Sequence, residues 1–345
     1  MIRAAMQKLL RRENLTETEI MEAIGCIMDG SATQSQIGGF LTALRFKGET
    51  VEEITGCARV MRDKAEKVTH SLPYCIDTCG TGGDGANTFN ISTAASLVAA
   101  AAGASVAKHG NRAMSSRSGS ADVLEALGIN ITLSPDQVGR CIEEVGIGFM
   151  FAQLFHKSMK HAAGARRELG IRTVFNILGP LTNPAGAKGQ VLGVYDAALT
   201  TVMAEVLKKL GTERALVVYG YDGLDEISTA RPTKVSELKD GVIQEYILDT
   251  VELGIPRAAA GELAGGDASC SAAIIKSVLS GEKGAQRNIV LVNAAAALYV
   301  AKVACDLKTG LKIAADTIDS GLAAAKLNEL RNYTATFGEM GEASA

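Results

Sequence analysis

The sequence predicts an α/β fold with a small N-terminal helical bundle domain, a larger domain around a mainly parallel central sheet, and a C-terminal helical cluster. In residues 1–72, apolar side chains recur at three- and four-residue steps, the period of amphipathic helices. From Tyr74 onward, short apolar strands alternate with helical stretches, which favours a parallel sheet with crossover helices. The final third of the chain is alanine-rich and again helical in pattern. These changes predict domains at 1–72 and 73–345, with part of 160–190 expected to join the helical domain.

Helix-capping signals locate the helices of the first domain. Thr16 and Thr50 each stand three residues before a glutamate, a capping box that satisfies the free N–H groups of a first turn. Thr33 can cap the helix between them, and Gly48 is suited to end it. We therefore expect short, well-defined helices before the sheet begins.

The second domain is predicted from alternating strands and helices. The predicted strands are YCIDT, SVAKH, INITL, IGFMFA, VLGVYD and RALVVYG. Predicted helices include STAASLVAAAAG, SADVLEALG and one that Ser134-Pro135 opens. The stretch VSELKDGVIQEYIL is predicted to form a hairpin that turns at Asp240-Gly241, because this pair accepts the positive φ angles of a tight turn.

The composition narrows the functional classes. The chain has 345 residues, 47% apolar and 21% charged, an ordinary globular balance. A formal net charge of −3, without a basic stripe, argues against a nucleic-acid partner. The longest apolar stretch, ASLVAAAAGASVA, is too short to span a bilayer, so no membrane partner is expected. The N-terminus lacks a secretory signal, and seven irregularly spaced cysteines indicate reduced thiols, so we expect a cytoplasmic protein.

Residues 77–93, DTCGTGGDGANTFNIST, form the most distinctive loop of the sequence. Gly80, Gly82 and Gly85 match the G-x-G-x-x-G pattern of dinucleotide-binding folds, which is weak evidence alone. A dinucleotide loop enters a helix at once, and its second strand ends in an acidic residue. Here a polar segment intervenes, and the second strand ends in the basic Lys108. The loop therefore favours another phosphate ligand.

A ligand with two separate phosphate groups fits this loop better. Its glycines permit a tight turn whose N–H groups face an anion. Ser92 and Thr93 are expected to cap the next helix, and together with Asn90 they lie at its N-terminus, a second anion site. Asp84 would repel a bare pyrophosphate unless a cation or another residue neutralised it. The loop therefore predicts a ligand with two separate phosphate groups.

A second polar loop, KHGNRAMSSRSGSAD, covers residues 108–122 at the end of the next predicted strand. Its donors are Lys108, His109, Asn111, Arg112, Ser115, Ser116, Arg117 and Ser120. The carboxyl ends of parallel strands are where α/β proteins bind ligands. A hydrated surface loop is the alternative interpretation for either polar loop alone.

Asp225 and Glu226 are adjacent acids in YDGLDEIS, which follows the predicted strand RALVVYG. Adjacent acids in loops are often only solvated. Beside polyphosphate donors they would instead hold Mg²⁺, which prefers oxygen ligands and bridges substrate phosphates.

Four segments, in this order and spacing, resemble the anthranilate phosphoribosyltransferase family. They are GTGGDGANTFNIST, KHGNRAMSSRSGSADVLEALG, RRELGIRTVFNILGPLTNPA and DGLDEIS. The resemblance covers nearly the whole chain and implies a pentosyltransferase of tryptophan biosynthesis. Such enzymes join 5-phosphoribosyl-1-diphosphate (PRPP) to the amine of anthranilate and release pyrophosphate. It also implies the pyrimidine nucleoside phosphorylase fold, two Mg²⁺ ions per subunit, and a homodimer through the helical domain, with any anthranilate synthase subunit a separate chain.

The resemblance also assigns site residues by motif. Those implied for magnesium are Ser92, Asp225 and Glu226, and those implied for catalysis are Asp225, Glu226, Lys108 and His109. Those implied for anthranilate are Gly80, Asn111, His156 and Arg166. Those implied for PRPP are Gly80, Gly82, Gly83, Asp84, Thr88, Asn90, Ile91, Ser92, Thr93, Lys108, His109, Gly110, Asn111, Arg112, Ala113, Met114, Ser115, Ser116 and Ser120.

Two short segments depart from the family pattern. Members often have HPAM where residues 156–159 are HKSM, and TGPT where residues 230–233 are ARPT. The first departure lies near the expected anthranilate tunnel, so it bears on acceptor affinity and specificity.

The implied reaction is a magnesium-assisted displacement through an oxocarbenium-like transition state. Charge develops on the ribose and on the leaving pyrophosphate, so positioning and electrostatic stabilisation should dominate. Arg166 can bind the anthranilate carboxylate in bidentate fashion, and His109 is a candidate base. A pyrimidine nucleoside phosphorylase and a divergent relative that binds nucleic acid are the alternative functions.

Overall fold

The computed structural model describes residues 1–113 and 117–342, and it begins with a bundle of short helices. The first four are α1 (Ile2–Leu10), α2 (Glu17–Met28), α3 (Gln34–Lys47) and α4 (Val51–Lys64). The predicted capping boxes at Thr16 and Thr50 are formed, and Thr33 caps α3 in the same way. Helix α3 ends at Gly48, whose φ of 90° suits glycine.

A mixed sheet forms the centre of the second domain. Its strands are β1 (Ile76–Asp77), β2 (Val106–Gly110), β3 (Ile147–Phe151), β4 (Gly189–Gly193), β5 (Arg214–Gly220), β6 (Thr233–Lys239) and β7 (Val242–Leu248). Their spatial order is β3-β2-β1-β4-β5-β6-β7. Strands β1 to β5 are parallel, whereas β6 and β7 pair antiparallel. The predicted hairpin turns at Asp240 and Gly241, whose φ angles are 50° and 74°.

The remaining helices connect the strands and close the chain. They are α5 (Ile91–Ala101), α6 (Ser120–Ala126), α7 (Pro135–Val145), α8 (Ala152–Phe155), α9 (Lys160–Leu169), α10 (Phe175–Leu178), α11 (Leu199–Lys209), α12 (Ala268–Leu279), α13 (Ala285–Val300), α14 (Leu307–Asp319) and α15 (Leu322–Glu342). The predicted fold class, with its C-terminal helices, is confirmed. In the part of the chain that the structure describes, no helix combines the length and apolar character needed to cross a bilayer.

The sheet separates two hydrophobic cores, because side chains along a strand alternate between its faces. In β5, Leu216 and Val218 belong to a core shared with α5 and α13. Ala215 and Val217 belong to a second core, shared with the helical bundle and α11. Phe175 in α10 also packs into this second core, so the connection between β3 and β4 joins the bundle. The predicted domain boundaries themselves stay a prediction.

One predicted strand is wrong and another is too long. Residues 129–133 (INITL) form no sheet pairing, although their alternate apolar side chains are buried. Their N–H groups bond elsewhere: Asn130 N donates to Thr334 Oγ1 of α15 at 3.2 Å, and Thr132 N donates to Asn130 Oδ1 at 2.9 Å. The alternation therefore reflects burial against helices. Strand β1 includes only Ile76–Asp77 of the predicted YCIDT.

Candidate active site

A cavity of about 450 Å³ opens where the chain leaves the carboxyl ends of the parallel strands. Its walls come from the glycine loop (residues 78–90), the loop after β2, the arginine segment (residues 157–182) and the acidic loop (residues 221–228). The predicted site residues that line it are Gly80, Gly82, Gly83, Asp84, Thr88, Asn90, Ile91, Ser92, Lys108, His109, Gly110, Asn111, Arg112, Ala113, Ser120, His156, Arg166, Asp225 and Glu226.

The remaining predicted residues do not line the cavity or cannot be placed. Thr93 is buried within α5 and lies away from the cavity wall. Met114, Ser115 and Ser116 lie outside the described residues.

Several lining residues were missed by the sequence interpretation. They include Met61, Met159, Arg172, Phe175 and Tyr195. The apolar and aromatic members follow patterns that core residues share, so nothing local distinguishes them. Arg172 offered a signal, since it is a further basic residue in the quoted motif RRELGIRTVFN.

The glycine loop lies close against the acidic loop. Thr81 N donates to Gly193 O at 2.9 Å, and Gly82 N donates to Asp225 Oδ2 at 2.7 Å. Gly82 has a φ of 64°, which favours glycine. A Cβ at Gly80 would lie 2.7 Å from Asp225 Oδ2, so only glycine allows this approach. The loop thus presents bare backbone to the cavity.

The N-terminus of α5 differs from the sequence prediction. The helix begins at Ile91, and Asn90 before it makes no side-chain cap. Ser92 and Thr93 lie in the first turn, so the prediction that they cap the helix is wrong. Instead, Ser92 N donates to Glu226 Oε1 at 3.1 Å. A carboxylate from the acidic loop therefore satisfies a donor that a capping hydroxyl would otherwise take.

The carboxyl groups of Asp84, Asp225 and Glu226 meet at the cavity. Burial raises the pKa of Asp225, and the charge of Asp84 raises it further. Burial and the charge of Asp225 likewise raise the pKa of Glu226, against the opposing charge of Lys108. Acidic groups held this close favour a cation between them, and their oxygen atoms suit Mg²⁺. The site therefore fits magnesium.

A second group of possible metal ligands serves a structural role. Asp77, Cys79 and His109 place ligand atoms within 4.8 Å of one another. Burial raises the pKa of the Cys79 thiol, which disfavours the thiolate that a metal would need. The carboxylate of Asp77 already accepts from His109 N at 3.2 Å and from Asn183 Nδ2 at 2.7 Å. Asn183 Nδ2 also donates to Ala107 O of β2 at 2.8 Å, so these bonds tie β1 to β2 directly and through Asn183.

Two histidines pack against each other in the cavity wall. The rings of His109 and His156 have centroids 5.1 Å apart. Burial lowers the pKa of His109 to about 3 and that of His156 to about 4, so both are neutral at pH 7. His109 Nδ1 lies 3.1 Å from Gly179 O, and a carbonyl can only accept, so Nδ1 carries the proton. His109 Nε2 is therefore a buried acceptor without a protein partner among the described residues.

Arg166 lies on α9 in the arginine segment, with its guanidinium 5.3 Å from the centroid of the Phe175 ring. Burial lowers the pKa of this guanidinium. It makes no ion pair with another described residue, which leaves its planar fork free for a carboxylate.

The two departures from the family pattern lie outside the cavity wall. Lys157 Nζ is 3.1 Å from Glu66 Oε1, and both side chains are solvent-accessible. Ala230 N and Arg231 N donate to Ser228 Oγ at 3.0 and 3.2 Å, which closes a turn beyond the acidic loop. None of the substituted side chains belongs to the lining.

The fold and the site define a glycosyl transferase with a helical bundle domain and an α/β domain. The family model "Glycosyl transferase family, helical bundle domain" matches residues 3–65, and the "a/b domain" model matches residues 72–324. The chain is 59% identical over 344 residues to the anthranilate phosphoribosyltransferase of Acetivibrio thermocellus, covering 100% of both chains. It belongs to the anthranilate phosphoribosyltransferase family.

Solved structures of this family have the same fold. The enzyme from Thermus thermophilus superposes with a TM-score of 0.91 at 44% identity, covering 96% of this chain and 99% of that one. The Saccharomyces cerevisiae enzyme, in complex with PRPP and Mg, superposes with a TM-score of 0.89 at 29% identity, covering 97% and 98%.

Proposed function

We propose that this protein transfers the 5-phosphoribosyl group from PRPP to the amine of anthranilate, releasing pyrophosphate, in tryptophan biosynthesis. The observation that carries this function is one cavity with three facing groups. These groups are the backbone of the glycine loop, the carboxylates around Asp225, and the guanidinium of Arg166, which makes no ion pair with a described residue. They match a diphosphate, its cation and an aromatic carboxylate.

At the donor end, Ser92, Asp225 and Glu226 would hold magnesium, and Asp84 adds a carboxylate that could serve a second ion. Bound Mg²⁺ would neutralise the diphosphate oxygens and stabilise the leaving group. The glycine-loop amides would add fixed dipoles toward the same oxygens. Lys108 Nζ donates to Thr78 Oγ1 at 3.1 Å, which holds a positive charge in the wall of the cavity near the proposed diphosphate.

At the acceptor end, Arg166 would anchor the anthranilate carboxylate and orient its amine. This amine is weakly basic and neutral near pH 7, so it can attack without prior deprotonation. His109 Nε2 would accept an amine N–H, because its other nitrogen is already committed to Gly179 O. With a pKa of about 3, His109 orients the amine by this hydrogen bond more readily than it removes a proton.

The direct test is the loss of anthranilate fluorescence on addition of PRPP and Mg²⁺, with each component omitted in turn. We expect loss only when all components are present. Asp225→Ala with Glu226→Ala should fold normally and lose this activity. Full magnesium-dependent activity in the double variant would remove the metal assignment, and phosphate-dependent release of a pyrimidine from a nucleoside would favour the phosphorylase alternative.

The assembly and location of the protein belong to the same proposal. We propose a homodimer formed through the helical bundle, because its surface exposes Met1, Leu10 and Phe46 at 73%, 71% and 69%. We also propose that it works in the cytoplasm with two Mg²⁺ ions per subunit. Any anthranilate synthase subunit would associate as a separate chain.

A further inference from the structure

Arg172 connects the arginine segment to the glycine loop. Its Nη2 donates to Gly83 O at 2.6 Å, and its guanidinium lies 4.0 Å from the centroid of the Tyr195 ring. The side chain lines the cavity and is exposed to solvent. The stacking on Tyr195 and the hydrogen bond to the Gly83 carbonyl therefore orient the Arg172 guanidinium beside the glycine loop.

Among the residues that the structure describes, none neutralises the charge of Arg172. Arg112, another basic residue of the cavity wall, is bound to Asp122 at 2.9 Å and to Glu125. Arg172 makes no ion pair with any residue that the structure describes. A guanidinium carries five N–H donors, and the contact with Gly83 uses one side of this fork.

We propose that Arg172 positions the diphosphate of the donor, an inference that rests on the proposed function. By holding the Gly83 carbonyl, it ties the glycine loop to the arginine segment at the cavity wall. Its uncompensated charge lies beside this loop and stabilises the pyrophosphate as the bond to ribose breaks. Arg172 thus acts on the donor, whereas Arg166 acts on the acceptor.

The test compares Arg172→Gln and Arg172→Lys with Arg167→Gln, a control at an exposed arginine of α9 outside the cavity wall. Calorimetry with Mg²⁺ and PRPP, without anthranilate, should show about tenfold weaker binding in Arg172→Gln, equivalent to about 1.4 kcal/mol. The KM for PRPP and the inhibition constant of pyrophosphate should rise by the same factor. The KM for anthranilate and the melting temperature should stay unchanged, and Arg172→Lys should recover only part of the lost affinity, because lysine keeps the charge but not the planar fork.

Unchanged binding of PRPP and pyrophosphate in Arg172→Gln would overturn the inference. So would a parallel loss of melting temperature and of affinity for both substrates, because that pattern indicates a purely structural role. Failure of the wild-type protein to consume anthranilate would instead remove the proposed function. Calorimetry with Mg²⁺ and PRPP distinguishes these two failures, because it needs no acceptor.

Discussion

At the scale of single residues, two acids occupy backbone donors that the proposed phosphate ligand would need. Asp225 accepts from Gly82 N, and Glu226 accepts from Ser92 N. While these bonds persist, the amides are satisfied by carboxylates and the local charge is negative. The carboxylates must turn toward a cation before phosphate oxygens can replace them. Binding of PRPP and binding of Mg²⁺ are therefore expected to be coupled.

Removal of magnesium should accordingly weaken PRPP binding by at least about tenfold. Isothermal titration with PRPP, in Mg²⁺ and then in excess chelator, measures this coupling. Asp225→Asn, which carries no charge, should bind PRPP with a smaller dependence on magnesium. Equal affinity of the wild-type protein in both buffers would contradict the exchange of partners.

Arg166→Ala should raise the KM for anthranilate by about tenfold or more, because a charge-assisted bidentate contact is lost. The KM for PRPP should change little, since Arg166 lies on the arginine segment away from the glycine loop. Steady-state kinetics with each substrate varied separately would check this, with Arg167→Ala as the matched control. An unchanged anthranilate KM would exclude the anchor.

The histidine pair should make folding stability depend on pH. The folded-state pKa values of His109 and His156, about 3 and about 4, lie below the unfolded value of about 6.5. The free energy of unfolding is therefore not reduced by these histidines above pH 6.5, and it falls as the pH falls toward 4. At pH 5 each histidine should lower the free energy of unfolding by roughly 2 kcal/mol, because its imidazole is protonated in the unfolded chain and not in the folded one.

Urea unfolding of the wild-type protein and of His156→Gln between pH 7 and pH 4.5 would measure this loss as the difference between the two profiles, because the raised pKa values of Asp225 and Glu226 act in the opposite direction. His156→Gln should flatten the profile, whereas His161→Gln, outside the cavity wall, should leave its slope unchanged. A profile for His156→Gln with the same slope as that of the wild-type protein would show that the His156 imidazole can be charged in place.

At the scale of elements, the end of β4 allows the acidic loop to reach the glycine loop. A Cβ at Gly193 would lie 1.5 Å from the carbonyl oxygen of Asp225. The same Gly193 accepts a hydrogen bond from Thr81 N through its own carbonyl. One residue without a side chain therefore sets the spacing between the two loops.

Gly193→Ala should displace the acidic loop and lower kcat by about a hundredfold, because a shift of about 1 Å misplaces the catalytic groups. Gly25→Ala, in α2 with no atom within 4 Å of the added Cβ, is the control and should keep full activity. The readouts are kcat and a magnesium titration. Wild-type values for both in Gly193→Ala would show that the backbone adapts without cost.

Sequence patterns over a few neighbouring residues correctly predicted where several helices begin and where the hairpin turns. The boxes at Thr16 and Thr50 and the turn at Asp240 follow from a few adjacent side chains. The strand predicted at INITL was wrong, because alternating burial against helices and alternating burial in a sheet give the same sequence pattern. The helix cap predicted at Ser92 was also wrong. The backbone N–H of Ser92 donates to Glu226, a residue remote in sequence, which a local pattern cannot indicate.

At the scale of the whole molecule, the surface of the bundle predicts self-association. Leu10→Asp with Phe46→Asp should convert the expected dimer to a monomer, because both exposed apolar side chains lie on the bundle. Sedimentation velocity measures the change. Val242→Asp, at an exposed position on β7, is the control and should stay dimeric. A wild-type monomer at micromolar concentration would contradict the proposed assembly.

The sequence predicted most of the cavity wall but not how its parts touch. Motifs indicated the glycine loop, Lys108 and the acidic loop, because their residue types suit phosphate and magnesium. Contacts such as that between Arg172 and Gly83 join segments far apart in sequence, and they depend on how the two cores fit together. Periodicity in one segment carries no information about such pairings.

The two walls of the cavity have separate structural support. The glycine loop runs into α5, in one core, while the arginine segment is anchored in the other through Phe175. Proteins that evolve from this fold could accordingly keep the glycine-loop wall, which is proposed to bind the sugar donor, and change the arginine-segment wall, which is proposed to select the aromatic acceptor. Directed evolution toward new aromatic amines would then find its tolerant positions along the arginine segment, except at Arg172, which holds the glycine loop.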